Sequence, residues 1–253
     1  MIEVADPTTL LSDPDKRGEL MEALSAEGLA VSKSFLSYSE LQHLMETIRE
    51  LKETSEPAWQ PISFGTPNFQ WINDNNPLSS VKGAFRQYNF FPWDKRSEEL
   101  YGRFGVVLRV RNQLLGAEES AFMNPAEGDP ITVRLAAQFY PTSHGWMQEH
   151  RDPQGPHQTV LASLVMSSYG SDYSGGGLFV RSEQGEKVFP EESLSPGDLL
   201  WFTPTLAHGV EKIEGPGGVG FSDWDDEAGR WMMLCASNGL TQDAHYARAK
   251  AVN

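Results

Sequence analysis

Apolar positions along the chain change their spacing near its middle. Up to about residue 115 they recur mainly at helical intervals; beyond residue 130 they gather into short runs of strand length. Residues 13–25 read as a short helix, with Leu20, Met21 and Leu24 at helical spacing, and Gly28-Leu-Ala-Val31 reads as a strand. Ser37 and Glu40 form a capping box ahead of Leu41, Leu44, Met45, Ile48 and Leu51, the strongest helix signal in the chain. A second long helix is expected from about Asp94 to Leu115, with Leu100, Phe104, Val107, Leu108 and Leu114 inward and weak points at Gly102 and Gly105.

Between these helices, residues 56–93 show no sustained period. Prolines and asparagines alternate there with Trp59, Phe64, Phe69, Trp71, Phe90, Phe91 and Trp93. Such a stretch is either a lid or pocket wall folded over a ligand, or a surface excursion held down by its own aromatics around a hairpin. The pattern does not choose between them.

From Ile131 onward, strand-like runs occupy 131–140, 147–150, 158–166, 176–180, 187–189, 198–202, 207–213 and 230–236. Eight short strands separated by turn signals predict a jelly-roll barrel, giving a mainly β (α+β) fold with flanking helices. With no internal repeat or low-complexity linker, residues 1–253 read as one domain. Its parts are a helical region over 1–125 and a jelly-roll core over 126–245.

Composition narrows the function. Hydrophobic residues make up 39% of the chain, enough for a sizeable core. The formal charge of −15 repels phosphate backbones and anionic lipids, which argues against nucleic-acid and membrane-surface partners. Cys235 is the only cysteine, so no intrachain disulfide forms, and its apolar setting Trp231-Met-Met-Leu-Cys235 points to a buried, inert thiol. The first residues lack the basic and apolar segments of a signal peptide, and no run reaches the roughly 18 apolar residues of a membrane span. A cytoplasmic protein is the expectation, with oligomeric state undetermined.

The chemistry lies between His150 and His208. In a strand, alternate residues share a face, so His150 and Asp152 can address one centre while Arg151 turns away. A distant strand must then supply the third ligand, and His208, before Gly209, is the candidate. Two imidazoles and a carboxylate form the facial set that holds ferrous iron and leaves positions open. His144 and His157 flank the motif as outer donors or as solvated loop residues, whereas His43 and His245 are not expected to touch metal.

His150-x-Asp152, Gly175-Gly-Gly-Leu-Phe179, Pro196-Gly-Asp198 before an apolar strand, and His208-Gly209 together resemble the Fe(II)/2-oxoglutarate-dependent dioxygenases. The order is similar to the phytanoyl-CoA hydroxylase-like and prolyl-hydroxylase-like branches, over roughly residues 131–238. The resemblance implies a double-stranded β-helix with His150, Asp152 and His208 as catalytic iron ligands. It implies 2-oxoglutarate and O2 as cosubstrates, with ascorbate as an additive in vitro. The reaction implied is hydroxylation of an unactivated C–H bond with release of succinate and CO2. Halogenases of this superfamily replace the carboxylate with a small residue, so Asp152 points to hydroxylation or a related oxidation.

The resemblance also implies a basic residue for the distal carboxylate of 2-oxoglutarate. Often it lies about ten positions after the second histidine, where this chain has Gly218; Arg230 is the first suitable cation on a strand and Lys212 its rival. Arg230 is expected to grip the carboxylate bidentately, unless it pairs instead with Asp225, Asp226 or Glu227. Met232 stands where many members carry a serine, so Tyr140 and, less directly, Thr159 are the candidate helpers. Arg134 and Gln138 share the parity of Tyr140 and, with Trp146 and Arg86, are candidate substrate contacts. A small metabolite, an amino acid or natural-product intermediate, is the expected substrate. The competing class is a cupin-like metal- or sugar-binding module without oxidative chemistry, which predicts no basic residue inside the pocket.

Overall fold

The computed structural model describes residues 1–59, 61–215, 228–240 and 250–252. A first strand β1 (Ile2–Val4) precedes two short helices, α1 (Pro7–Ser12) and α2 (Pro14–Glu27). Each helix starts the same way: Asp6 and Asp13 accept hydrogen bonds from the first free amides, and a proline follows at a position needing no N–H. The sequence reading missed β1 and α1. Helix α2 stops at Gly28, in the left-handed conformation, and the chain turns into β2 (Leu29–Ser32). Helix α3 (Tyr38–Glu53) carries the predicted capping box, with both reciprocal bonds between Ser37 and Glu40, and buries Leu41, Leu44, Ile48 and Leu51. Helix α4 (Glu98–Leu114) follows one 3-10 turn.

Segment 56–93 contains the hairpin that one of its two readings allowed, but as part of the sheet rather than as a surface excursion. After the two-residue β3 (Glu56–Pro57) it forms an antiparallel hairpin of β4 (Phe69–Asp74) and β5 (Gly83–Phe90), which extends the main sheet. Its inward face mixes buried polar Asn73, Gln87 and Asn89 with the aromatic Phe69, Trp71 and Phe85, while Tyr88 and Phe90 of the outward face join the core under the helices.

All eight predicted strands are present: β6 (Ile131–Pro141), β7 (Trp146–Arg151), β8 (Leu161–Val165), β9 (Gly175–Arg181), β10 (Lys187–Val188), β11 (Leu199–Phe202), β12 (His208–Glu214) and β13 (Gly229–Gly239). The two-residue β14 (Lys250–Ala251) pairs with β7. One run of paired strands reads β2-β11-β8-β13-β6-β5-β4 and the other β7-β12-β9-β10; β5 joins them, pairing with β6 over Arg86–Phe90 and with β7 at Gly83 and Ala84. The architecture is a double-stranded β-helix.

Alternation along the strands assigns each side chain to one of two cores. Val133, Leu135, Ala137 and Phe139 of β6, with Trp231, Met233 and Cys235 of β13, face outward into the main core under the four helices. Each fully buried Leu or Phe there contributes roughly 2 kcal/mol. The even-numbered partners Arg230–Tyr140, Met232–Gln138 and Ala236–Arg134 face inward. The Pro196-Gly-Asp198 turn before β11 needs glycine at 197, where φ is +98° and a Cβ would lie 2.2 Å from the Leu36 carbonyl oxygen. Asp198 there accepts from the amides of Ser34 and Ser195 and from Lys33 Nζ, tying β11 to the α2–α3 region. No helix among the described residues is long and apolar enough to cross a membrane.

Candidate metal centre and its pocket

Strands β7 and β12 are antiparallel neighbours, and His208 lies directly across from His150. Val210, two residues on, pairs with Met147, three residues back, so β7 carries one extra residue. This bulge turns both Met147 and His150 into the barrel. Asp152 follows just after β7; its amide donates to the Pro204 carbonyl at 2.9 Å, and Arg151 Nη1 donates to the Thr205 carbonyl. The end of β7 is thereby fastened to the turn that delivers His208.

His150 Nε2 lies 3.6 Å from Asp152 Oδ1, and His208 Nε2 lies 3.5 Å from Asp152 Oδ2. One ligand atom from each of the three residues falls within 4.8 Å of the others. Both imidazoles are oriented from behind: His150 Nδ1 is 2.9 Å from the Gln148 carbonyl and His208 Nδ1 is 2.9 Å from the Leu206 carbonyl. A carbonyl only accepts, so each Nδ1 carries the proton and each Nε2 lone pair is free. Burial pushes His208 down to about 4, so its ring is neutral at pH 7, the ligating form. Burial works to raise the Asp152 carboxyl, but the two histidines beside it and, more weakly, Arg134 hold it below the ordinary carboxylate range. Two imidazoles and a carboxylate this close suit a divalent iron with open positions.

The pocket around these ligands holds about 570 Å³ including its mouth. Leu29, Leu178, Val180, Phe202, Met232 and Leu234 make its walls largely apolar, and Gln138, Tyr140, Ser163 and Arg230 add polar groups.

Arg230 is 2% exposed and ion-paired with Glu191, itself 4% exposed. Its Nε donates to both carboxylate oxygens, at 2.9 and 2.8 Å, and Nη2 donates to Oε1 at 2.7 Å. Glu191 also accepts from the Tyr173 hydroxyl at 2.7 Å and the Leu178 amide at 3.0 Å. The bidentate edge of Arg230 is therefore filled from within the protein. What remains is Nη1, buried and without an acceptor among the described residues. The edge expected to grip a ligand carboxylate at two points is therefore taken by Glu191, and the alternative partners Asp225, Asp226 and Glu227 lie outside the described residues. Glu191 was not foreseen: Phe189-Pro-Glu-Glu192 reads as a polar surface turn, and its partner arrives 39 residues later.

Tyr140 lines the pocket, with the Arg230 guanidinium 5.1 Å from its ring centre and its hydroxyl donating to Gln138 Oε1 at 2.7 Å. Gln138 lines it too; Arg134 shares their face of β6 but is not among the lining residues. Three candidates lie elsewhere. Thr159 falls in the loop before β8, which starts at Leu161 rather than 158, and is not among the lining residues. Trp146 lines a separate outer hollow with Phe179 and Lys187, because the β7 bulge breaks simple alternation. Arg86 pairs across from the outward-facing Phe139, with Nη1 on the Tyr88 hydroxyl at 3.2 Å, and so points away from the metal ligands. Lys212 is exposed on β12 and lines that same outer hollow.

His157 stands edge-on to Phe122 at 5.3 Å, and His43 pairs with Glu99 at 2.8 Å on the surface. Neither they nor His144 join the ligand cluster, and His245 lies outside the described residues. The Cys235 thiol is fully buried and pushed up to about 12 by that burial.

No model of a known protein family matches the chain, and no curated protein does either. Solved structures do. A Pseudomonas putida prolyl-4-hydroxylase superposes with a TM-score of 0.53 at 16% identity, over 88% of this chain and 98% of that one. A full-length Neurospora crassa protein, solved in complex with alpha-ketoglutarate (2-oxoglutarate) and 5-formyluracil, gives 0.53 at 13%, over 93% and 84%. The non-heme alpha-ketoglutarate-dependent epimerase SnoN from nogalamycin biosynthesis gives 0.53 at 13%, over 89% and 83%. Across that low identity, the chain carries the double-stranded β-helix fold that these proteins share.

Proposed function

We propose that this protein is an Fe(II)- and 2-oxoglutarate-dependent oxygenase that hydroxylates a C–H bond of a small metabolite. One observation carries the reading: two Nε2 atoms and a carboxylate gathered within 4.8 Å, in one pocket with an arginine whose Nη1 has no partner among the described residues. His150, Asp152 and His208 would hold the iron, and the Arg230 Nη1 side, with Tyr140 beside it, would receive the distal carboxylate of 2-oxoglutarate. Bound together, iron and 2-oxoglutarate supply activated oxygen for attack on an unactivated C–H bond.

The chain's own residues do the rest. The Gln148 and Leu206 carbonyls keep both imidazoles in the ligating tautomer. Glu191 holds the Arg230 fork, so that the free donor, not the whole side chain, addresses the pocket. Leu178, Val180, Phe202 and Met232 exclude water from the reacting centre. The solved structures of like fold act on or bind a prolyl residue, a pyrimidine and a natural-product intermediate, by their names. That spread supports the chemistry and leaves the substrate to this chain's own pocket. A cupin-like binding module without oxidative activity predicts no base in the pocket, and Arg230 counts against it. A single buried thiol accords with a cytoplasmic setting.

The test is spectroscopic. Fe(II) and 2-oxoglutarate added anaerobically should give a weak metal-to-ligand charge-transfer band in the visible, lost in Asp152→Ala. Fully metallated protein without that band would overturn the proposal.

A further inference from the structure

A second arginine on the inner face of the barrel presents the opposite arrangement from Arg230. Arg134 lies on β6 across from Ala236, and its Nη1 donates to Asn89 Oδ1 at 2.8 Å. Gln87 Nε2 donates to the same oxygen at 2.8 Å, Gln138 Nε2 donates to Gln87 Oε1 at 2.6 Å, and the Tyr140 hydroxyl donates to Gln138. Two donors on Oδ1 fix the Asn89 amide, because a flipped amide would set N–H groups against N–H groups. Asn89 Nδ2 is thereby turned away from the chain of bonds. It is buried without an acceptor, in a residue of 0% exposure.

Arg134 Nε is likewise buried without an acceptor, and so is Nε1 of Trp71, whose ring centre lies 5.7 Å from the Arg134 guanidinium carbon. Arg134 forms no ion pair with a carboxylate among the described residues. Burial pushes it down to about 10, which leaves it charged at neutral pH. A buried donor without an acceptor is costly, and here three occur together, among the described residues, on side chains that Arg134 links. Every unmet group is a donor and one is cationic, so the complement is an anion that only accepts.

The shape of the anion follows from which guanidinium atoms are taken. Nη1 is committed to Asn89, so the fork of Nε and Nη2 is open, and that edge matches the two oxygens of a carboxylate. One positive charge also balances one negative charge, where a phosphate monoester brings nearly two.

Position follows from the register. Ala236, across from Arg134, belongs to the apolar cluster that contains Phe202, and the Phe202 ring stands edge-on to His208 at 5.4 Å. Arg134 therefore lies toward the His208 end of the barrel. Arg230, across from Tyr140, lies six residues along the same ladder, roughly 20 Å away at strand rise. The metal ligands come from the facing run of strands.

We infer that the substrate is a carboxylic acid whose carboxylate is received by Arg134, Asn89 and Trp71, on the inner face of the barrel beside the pocket. That the ligand is a substrate rests on the oxygenase reading; the carboxylate subsite itself does not. The stacked Trp59–Trp71 pair, 5.5 Å between centres, adds an aromatic surface next to the charge.

Calorimetric titration of the full chain tests this, with Fe(II) and saturating 2-oxoglutarate kept anaerobic so that the Arg230 end is occupied. The probes are phenylacetate, indole-3-acetate and hexanoate, the amides of the same skeletons, and phenyl phosphate. At least one acid should bind tenfold or more tightly than its amide. Arg134→Gln should bring that ratio close to one while keeping the charge-transfer band, and Arg134→Lys should fall between. Trp71→Phe, which keeps a ring and removes one donor, should weaken the acids about threefold or more and leave the amides unchanged, and it serves if Arg134→Gln does not fold. Acids binding no better than amides, phenyl phosphate binding best, or an Arg134→Gln protein that keeps the full preference would overturn the inference. A missing band with the acid preference intact would remove the oxygenase reading and leave the subsite standing; a band without the preference would do the reverse.

Discussion

His150 and His208, far apart in the chain, are cross-strand partners with ring centres 4.4 Å apart. Between them Asp152 supplies the negative charge, from a loop residue pinned to the Pro204 carbonyl. Without metal this carboxylate is fixed next to two neutral donors. Asp152→Asn should therefore weaken Fe(II) binding by roughly a hundredfold or more, while the metal-free variant melts no lower than metal-free wild type. Metal analysis after dialysis and a melting curve check both; a variant that retains iron would remove Asp152 from the ligand set.

Arg230 and Lys212 are separated by the wall of the barrel. Arg230→Lys should raise the KM for 2-oxoglutarate by about tenfold or more with little change in kcat, and Lys212→Ala should leave both unchanged. The reverse pattern in steady-state kinetics of succinate release would transfer the role to Lys212. Arg230→Ala is a harsher change, because it strands the Glu191 carboxylate at a cost of about 3–5 kcal/mol.

Glu191 links that pair to pH. Burial is the largest influence and works to raise its carboxyl, but the Arg230 charge, its hydrogen bonds, the Leu178 amide and the Tyr173 hydroxyl together hold it below the ordinary range. A carboxyl depressed in the folded state stabilises above its unfolded pKa, and loses that contribution as pH falls through the folded value. Glu191→Gln should therefore be markedly less stable than wild type at pH 7, and the gap should narrow below about pH 4.5. Denaturant melts at pH 7 and pH 4 measure it; a gap that stays constant would separate the pair's stability from its ionisation.

Cys235 should resist alkylation by iodoacetamide at pH 8 in the folded protein and react fully in denaturant, since its thiol is both buried and pushed up to about 12. Mass spectrometry of the intact chain reads the outcome, and native labelling within minutes would show that this part of the core opens.

The cluster of His150, Asp152 and His208 was legible in the sequence because its geometry is local: alternation aligns His150 with a nearby Asp152, and the strand that starts at His208 announces itself with an apolar run. The eight barrel strands were legible for the same reason. That the hairpin of β4 and β5 joins the main sheet was not, because its inward face carries Gln87 and Asn89, and buried polar residues invert the usual pattern. Glu191 was hidden for another reason: nothing near a Pro-Glu-Glu turn reveals that a distant arginine will meet it. Trp146 was misplaced by one extra residue in β7, a bulge that period-two counting cannot foresee.

Strand β5 belongs to both runs of the barrel, bonded to β6 along most of its length and to β7 at Gly83 and Ala84. The far edges, β1 and β10, do not pair with each other among the described residues. Strand pairing thus stitches the two walls down one side only, like pages bound at a spine, and away from it the Arg230–Glu191 pair, bonded to the Leu178 amide of β9, is a side-chain tie between them. Any widening that admits a bulky guest must open from the unbound margin, and the ligands on β7, next to the binding, travel least when it does.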